Sequence, residues 1–173
     1  YATSKLCMEL LLKNYAKNFN LPIIITRFSN FFGPGQPAYR LIPKIITCID
    51  KKMKFPLEGN GNAKRNFIYS HDFCMGLYKT LLKGEKGQVY HFSGNKYYKT
   101  NEIVKIICNL KSYDYKKLVK IKKSRVGQDF IYKLDSKKTK SKLGWKPVYS
   151  LKKALLEVIK YNEKNFKQYS KQK

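Results

Sequence analysis

The sequence predicts an α/β fold in which helices pack on the faces of a parallel sheet. Segments with apolar residues every three to four positions alternate along the chain with short β-branched runs. The chain has 173 residues, 43% of them apolar and 14% aromatic, which is enough for one domain with its own core. This composition excludes a disordered chain, a collagen-like repeat and a coiled coil.

The first element is predicted to be an amphipathic helix from Tyr1 to about Asn18. Its apolar residues recur at helical spacing, so one face is expected to be buried. Asn20 ends the helix, and the β-branched run at 22–26 predicts a strand that is buried on both faces. The residues that define the apolar face of the helix are Leu6, Leu10, Leu11 and Tyr15.

The same two patterns continue to the end of the chain. Residues 28–37 contain two glycines and two prolines and are predicted to be a loop, and 56–63 is a second turn-rich stretch. Ser70 and Thr100 are predicted to cap the helices that follow them. The predicted helices are 39–52, 71–83, 100–110 and 151–166, and the predicted strands are 66–69, 88–92 and 118–121.

The formal net charge of +26 arises almost entirely from lysine. Of the 37 basic residues only four are arginine, the residue that binds phosphate and guanine through two hydrogen bonds at once. This excess of lysine over arginine argues against a nucleic-acid partner. No apolar run approaches the roughly 20 residues that span a bilayer, and no signal peptide is recognisable, so we expect a cytoplasmic protein without a membrane partner.

The four cysteines lie far apart in apolar stretches. This distribution is typical of buried free thiols and not of zinc ligands or a secreted disulfide framework. We therefore expect no metal site. The cysteines are Cys7, Cys48, Cys74 and Cys108.

Tyr1 and Lys5 form the first candidate catalytic pair. Four residues apart on a helix, they lie on one face and one turn from each other. A nearby ammonium group favours the phenolate form of tyrosine, which can take a proton from a substrate hydroxyl as a general base. The spacing alone is also common in ordinary helices, so the pair by itself leaves a structural interpretation open.

Further motifs follow this pair in a defined order. In this order and spacing they resemble the extended short-chain dehydrogenase/reductase family over nearly the whole chain. Within that family the similarity is greatest to the nucleotide-sugar 4,6-dehydratases, the dTDP-glucose 4,6-dehydratase-like proteins above all. The motifs are TRFSNFFGPG at 26–35, RLIP at 40–43, GNG at 59–61, RNFIY at 65–69, HD at 71–72, GQVYH at 87–91, RVGQD at 125–129, Asp135 and KLGWKP at 142–147.

The resemblance implies the C-terminal half of a Rossmann-type parallel-sheet domain with a smaller α/β substrate-binding lobe. NAD would be the cofactor and a nucleotide-diphosphate sugar the substrate. No GxGxxG turn occurs and the first residue is not Met, so we expect a partial domain that is inactive alone. The expected divisions are an NAD-binding core at 1–32 and 66–93, a lobe at 33–65 and 94–150, and a C-terminal helix at 151–166.

The resemblance also implies a role for each motif residue near the cofactor. Tyr1 would remove the proton of the sugar 4-hydroxyl as hydride leaves C4. Lys5 would bind the nicotinamide ribose and favour the phenolate of Tyr1. Ser29 would contact the cofactor, and Asn30 would contact the substrate.

Two arginines match positions that bind the substrate diphosphate in the family, and a third is a peripheral candidate. Arg65 and Arg125 are the principal pair, because a planar guanidinium suits phosphate. Arg40 would lie at the edge of the site. His91 either contacts a substrate phosphate or is a packed residue at a strand end. The Trp145 motif is expected to be a packing anchor.

Several readings of the function remain open at this stage. Glu58, His91 and Val126 depart from the most familiar dehydratase pattern and leave the nucleotide and the sugar undecided. Alternatives to a 4,6-dehydratase are a 4-epimerase or reductase of the same family, an inactive sugar-nucleotide-binding fragment, and a basic nucleic-acid-binding module. The resemblance also implies a homodimer that uses the helix starting at Tyr1.

Overall fold

The computed structural model describes residues 1–124, 126–127 and 129–166, and these alternate between helices and short strands. The strands are β1 (Ile25–Phe28), β2 (Asn30–Phe32), β3 (Phe55–Glu58), β4 (Lys64–Tyr69), β5 (Val89–Phe92), β6 (Tyr97–Lys99) and β7 (Val119–Lys122). The helices are α1 (Ala2–Asn18), α2 (Leu41–Asp50), α3 (Ser70–Lys83), α4 (Thr100–Leu110), α5 (Tyr115–Leu118), α6 (Lys137–Leu143) and α7 (Leu151–Lys164).

The strands form three small sheets, and each sheet contains a parallel pair. β1 pairs with β5, β2 with β4, and β3 with β7, and β6 adds to β4 in the antiparallel direction. Parallel pairs require a crossover between the strands, and helices supply much of it here. The predicted α/β fold with parallel pairing is therefore confirmed.

The main hydrophobic core lies between α2, α4 and α7 and the strands β3 and β4. Each helix places apolar side chains at helical spacing toward it, as Ile103 and Ile107 of α4 do with no exposed surface. Pro43 fits in the first turn of α2 because the N–H groups there have no partner within the helix. This core fixes β3 and β4, which flank the GNG motif at 59–61.

A second core lies where α3 and α6 meet β5. Trp145 is 2% exposed and packs edge-on against Phe92, with 5.0 Å between ring centroids. Its Nε1 donates a 2.8 Å hydrogen bond to the backbone oxygen of Asp72. The buried carboxylate of Asp72 accepts hydrogen bonds from the backbone N–H groups of Val148 and Tyr149. The expectation that Trp145 is a packing anchor is confirmed.

The boundaries of some strands and helices differ from the predicted ones, because strand pairing and helix capping determine where they begin. β1 begins at Ile25 and not at residue 22, because its regular pairing with β5 starts with Ile25 opposite Val89. Ser70 and Thr100 are the first helical residues and not the caps, which are Tyr69 and Lys99. The Lys99 N–H donates to the Glu102 carboxylate in the first turn of α4, as the residue before a helix does in a capping box.

The buried apolar face expected for the first helix is wrong. No residue of α1 is buried. Its partly buried positions are Glu9, Leu12 and Ala16, spaced by three and four residues, and this stripe is what faces β1. The predicted residues Leu6, Leu10, Leu11 and Tyr15 lie elsewhere on the helix surface and are 49–58% exposed.

The cysteines are all free, but only two are buried. Cys48 and Cys108 lie in the main core, and burial raises the pKa of the Cys108 thiol to about 11. Cys7 and Cys74 are exposed on helix surfaces, so the expectation of four buried thiols is wrong for these two. Within the described residues, every helix is too short or too polar to cross a membrane.

Candidate active site

Tyr1 and Lys5 lie together at the start of α1. The Lys5 Nζ is 5.7 Å from the centroid of the Tyr1 ring, and the Lys5 N–H donates a 3.1 Å bond to the Tyr1 carbonyl. The Ser4 hydroxyl also donates to that carbonyl at 2.7 Å. The Tyr1 side chain is 96% exposed, so its phenol is accessible to a ligand.

A salt bridge fastens α1 to β1. The Arg27 Nε donates to Glu9 Oε1 at 2.7 Å, and Nη2 donates to Oε2 of the same carboxylate. The hydrogen bonds from Arg27 are the main cause that lowers the pKa of Glu9, and in turn they raise the pKa of Arg27. The pair therefore remains ionised at neutral pH.

The contact between Glu9 and Arg27 gives the height of Tyr1 relative to the strand ends. Tyr1 precedes Glu9 by eight residues, which is about 12 Å along a helix. Asn30 follows Arg27 by three residues, which is about 10 Å along an extended chain. Glu9 bonds to Arg27, while Lys13 and Lys17 line a hollow with Ile23 and Ile25, so α1 and β1 run in opposite directions. Tyr1 and Asn30 therefore both lie toward the carboxyl end of β1. In open α/β sheets ligands bind at this edge.

Ser29 is the first residue after β1 and is 3% exposed. Its backbone N–H donates to Phe92 O at 2.9 Å, and its hydroxyl donates to Asn66 Oδ1 at 2.8 Å. Asn66 continues the network by donating to the carbonyls of Gly94 and Lys96, both at 2.9 Å. The Ser29 hydroxyl proton is therefore committed to Asn66, and only its oxygen remains to accept a bond from a ligand.

Gly94 allows this close packing. A Cβ atom there would lie 2.3 Å from the backbone oxygen of Phe67. Only glycine permits that approach of two backbones. The turn after β5 is in this way held against β4, next to Ser29.

Asn30 is exposed at the beginning of β2, in register with Phe67 of β4. Arg65 lies on β4 and is partly buried. Its Nη1 donates to Lys64 O at 2.7 Å and its Nη2 to Asp129 O at 2.8 Å, so it holds the segment after residue 128. Arg125 lies outside the described residues.

Arg40 lies apart from this cluster, as far as the described contacts reach. It is the residue before α2, exposed, with its guanidinium 5.4 Å from the ring centroid of Tyr39. The guanidinium remains open to an anion, and no contact links it to Arg65.

His91 is a partly buried residue of β5, in register with Arg27. Its Nδ1 lies 3.1 Å from Asp135 O. Its backbone exchanges two bonds with the Thr139 hydroxyl, which donates to His91 O at 2.6 Å and lies 2.9 Å from the His91 N–H donor. These contacts dock the start of α6 on β5.

The structure therefore brings together Ser29, Asn30 and the network of Asn66 at one edge, with Tyr1 and Lys5 at the same height. Asn66 bonds to Ser29, and Glu9 bonds to Arg27 beside these residues; none of the three was singled out as a site residue by the sequence. Asn66 and Arg27 do occur inside the RNFIY and TRFSNFFGPG motifs, which was the available signal. Their partners are 18 to 37 residues away, and local spacing does not reveal such pairs.

A hollow of about 380 Å³ lies at the other end of β1. It is lined by residues such as Lys13, Ile23 and Gly87, at the C-terminal part of α1. This position is remote from Tyr1, so the hollow is not part of the candidate site. Across the described part of the chain, no group of three His, Cys, Asp or Glu side chains is arranged to hold a metal ion.

Comparison with known families places this geometry in context. The family model of GDP-mannose 4,6-dehydratase matches residues 1–158. The chain is 35% identical over 145 residues to a trifunctional UDP-glucose 4,6-dehydratase, 3,5-epimerase and reductase of Arabidopsis thaliana, covering 84% of this chain and 22% of that protein. It is 30% identical over 171 residues to dTDP-D-glucose 4,6-dehydratase of Mus musculus, covering 96% of this chain and 48% of the relative.

Solved structures give the same picture. The dTDP-glucose 4,6-dehydratase DesIV of Streptomyces venezuelae, solved with NAD and TYD bound, superimposes with a TM-score of 0.95 at 29% identity, over 100% of this chain and 53% of that one. A UDP-glucose 4-epimerase of Thermotoga maritima shares the fold, with a TM-score of 0.89 at 24% identity over 96% of this chain and 52% of that one. The chain thus spans about half the length of the dTDP-glucose dehydratases that it matches.

Proposed function

Because this chain belongs to the GDP-mannose 4,6-dehydratase family of NAD-dependent epimerases and dehydratases, we propose that the whole protein is a nucleotide-sugar 4,6-dehydratase. It would act on a dTDP-glucose-like substrate through transient oxidation at sugar C4. The observation that carries this proposal is the Tyr1 and Lys5 pair, one turn apart at the carboxyl edge of β1. The relatives support it, since dehydratases match more than nine-tenths of the chain at about 30% identity.

In this proposal the chemistry at C4 depends on Tyr1. Its phenolate takes the proton of the 4-hydroxyl as the C4 hydride departs, and the ammonium group of Lys5 stabilises the phenolate. NAD, when bound, supplies the hydride acceptor. The exposed phenol and ammonium fit this role, because neither is enclosed by neighbouring side chains.

The residues of this chain also fit a cofactor that lies along the strand ends. The oxygen of Ser29 retains accepting capacity, and Lys5 retains its three N–H donors for ribose hydroxyls. Asn30, Arg40, Arg65, His91 and Arg125 are proposed to contact the nucleotide-diphosphate sugar. Arg65 is the strongest of these, because three of its five N–H donors remain for phosphate.

We also propose how the chain is divided between an NAD-binding core and a substrate lobe. The β1–β5 sheet with α1 and α3 would belong to the NAD-binding core (residues 1–32 and 66–93). Segments 33–65 and 94–150 would form the substrate lobe, with 151–166 as the C-terminal helix. A chain that carries only this part of the cofactor site would not turn over alone. Four free thiols suit a reducing compartment, so the cytoplasm is the proposed location.

Product mass tests the reaction type. The whole protein with NAD is incubated with dTDP-glucose, UDP-glucose or GDP-mannose, and the nucleotide sugars are analysed by mass spectrometry. A dehydratase yields a 4-keto-6-deoxy product lighter than the substrate by one water. A 4-epimerase, the second candidate, yields an isomer of unchanged mass that separates by chromatography. Unaltered sugars in all three reactions would contradict both.

A homodimer is proposed as the working assembly. The exposed apolar residues of α1, with Leu10 and Leu11 more than half exposed, supply a surface that a second copy could cover. The same surface carries Cys7. Its test is the oligomeric state in solution, described below.

A further inference from the structure

Glu9 occupies a special position on α1. It lies one helical turn after Lys5, just as Lys5 lies one turn after Tyr1, so the three side chains follow one another along the same side of the helix. An ammonium at position 5 therefore has two neighbours that attract it. One is the phenol of Tyr1, and the other is the carboxylate of Glu9.

The structure resolves this competition in favour of Tyr1. The Lys5 Nζ lies over the Tyr1 ring, 5.7 Å from its centroid. Both carboxylate oxygens of Glu9 accept bonds from Arg27, through Nε and Nη2. A carboxylate bound in this two-point fashion has little left for a flexible ammonium group one turn away.

Arg27 is well placed for this task because its own position is fixed. It lies within β1, in register with His91 of β5, and two residues before Ser29. The charged and titratable groups that face the pair are Lys13 and His91 near Glu9, and Tyr132 near Arg27. Lys13 adds positive potential at Glu9 and so supports its ionised form.

We propose that Arg27 is a positioning residue that keeps the Glu9 carboxylate away from Lys5, so that the ammonium of Lys5 remains available to Tyr1. Without Arg27, Glu9 pairs with Lys5 at the spacing of one turn, and Lys5 no longer favours the phenolate of Tyr1. The catalytic part of this inference rests on the proposed function. The pairing of Lys5 with Glu9 does not.

The decisive comparison uses the whole protein in three forms, Arg27→Gln, Glu9→Gln and the double variant. In Arg27→Gln the pH dependence of kcat shifts to alkaline pH, with a fall of about twofold at neutral pH, the strength of one exposed ion pair at this spacing. KM for the nucleotide sugar stays within twofold. In Glu9→Gln and in the double variant the competitor is absent, so the pH dependence stays that of the wild type.

Two controls accompany these variants. Arg27→Lys keeps a cation for Glu9 and restores the wild-type pH dependence. Lys142→Gln removes one partner of an exposed ion pair elsewhere, in which Lys142 Nζ lies 3.6 Å from Glu85 Oε1. It changes neither the pH dependence of kcat nor KM. Raising the salt concentration screens the new Lys5–Glu9 pair and diminishes the shift in Arg27→Gln.

A second measurement needs no activity. The Lys5 amine is acylated under limiting reagent, and the modified peptide is quantified by mass spectrometry. Pairing with Glu9 slows the reaction about twofold in Arg27→Gln, and the double variant recovers the wild-type rate. The inference is overturned if Lys5 reacts equally in all forms. It is also overturned if Glu9→Gln and Arg27→Gln shift the pH dependence of kcat alike, because Arg27 would then only anchor α1. A wild-type protein without turnover, but with the expected acylation pattern, contradicts the proposed function alone.

Discussion

Tyr1 is the side chain on which the proposed chemistry depends most directly. Tyr1→Phe removes the phenol oxygen and leaves the ring. Since the ring is 96% exposed, we expect no loss of stability. The loss of a general base lowers kcat about 100-fold or more. Stopped-flow measurement of NADH formation on the whole protein checks this, and an unchanged rate of hydride transfer would exclude Tyr1 as the base.

Arg65 also makes structural hydrogen bonds, which the sequence did not indicate. Two of its N–H groups donate to the backbone oxygens of Lys64 and Asp129, so it ties residue 129 to β4. Arg65→Lys keeps the charge but loses the planar fork, and the affinity for the nucleotide sugar falls by about 1–3 kcal/mol.

Titration calorimetry of the whole protein with dTDP-glucose, UDP-glucose and GDP-mannose measures this change. NAD affinity is the internal control and should stay within experimental error. If the variant binds all three sugars as tightly as the wild type does, Arg65 does not contact the substrate. The preferred nucleotide follows from the same experiment.

Contacts between residues close in sequence could be predicted, and contacts between distant residues could not. Tyr1 and Lys5 were identifiable because helical spacing makes them neighbours. Asn66 was not, because its network joins Ser29, Gly94 and Lys96, which are 28 to 37 positions away. Spacing rules carry no information about such pairs until the sheets are assembled.

The helices α2, α4 and α7 are joined by one lysine. The Lys111 Nζ lies 2.8 Å from Asp50 Oδ1 at the end of α2 and 2.7 Å from Glu163 Oε1 near the end of α7. Burial alone would lower the pKa of Lys111, but the two carboxylates outweigh it and raise that pKa. The side chain is only 10% exposed, which distinguishes it from the many surface lysines.

Lys111→Met leaves two carboxylates facing each other without the cation between them. The free energy of unfolding is expected to fall by about 1–3 kcal/mol, as measured by urea denaturation at neutral pH. Because the pKa of Lys111 is raised on folding, its contribution is complete below the unfolded pKa and is lost as the pH rises through the folded value. The difference between wild type and variant should therefore shrink only in strongly alkaline solution.

The control for this prediction is Lys142→Met. Both members of the Lys142–Glu85 pair are more than half exposed, and such pairs contribute little. We expect a change of less than about 0.5 kcal/mol. Equal losses in the two variants would mean that the three-helix junction is not special.

Long amphipathic elements were predictable and short ones were not. The periodic patterns of α2, α3, α4 and α7 predicted helices where the structure has them, within one or two residues at each end. β3 was missed because it contains Pro56. Among the described strands it pairs with β7 alone, so the proline is tolerated on an edge strand. α6 was missed because only Thr139 and Leu143 of its seven residues are buried.

The molecule as a whole exposes an apolar surface on α1 that its own core does not use. If this surface is the dimer interface, Leu10→Glu places a charge within it and converts the dimer into a monomer. Light scattering after size-exclusion chromatography measures the mass. Leu10 is 58% exposed, so the circular dichroism spectrum should not change.

Leu81→Glu is the matched control. Leu81 lies on α3 and is 80% exposed, so the new charge is equally compatible with folding, and the variant should remain dimeric. Dissociation by Leu81→Glu, with none by Leu10→Glu, would assign the interface to α3 instead. A wild-type monomer at every concentration would contradict the proposed dimer.

The buried carboxylate of Asp72 has a consequence for the order of events during synthesis. Its two backbone partners are 76 and 77 positions later in the chain. A ribosome that adds about 5–20 residues per second makes Asp72 about 4–15 s before Tyr149. Once α3 and β5 have been made, they have no Trp145 to cover them until the end of that interval, and the carboxylate of Asp72 keeps its water. The second core is therefore completed late, in one step, when the 145–149 segment emerges and replaces that water.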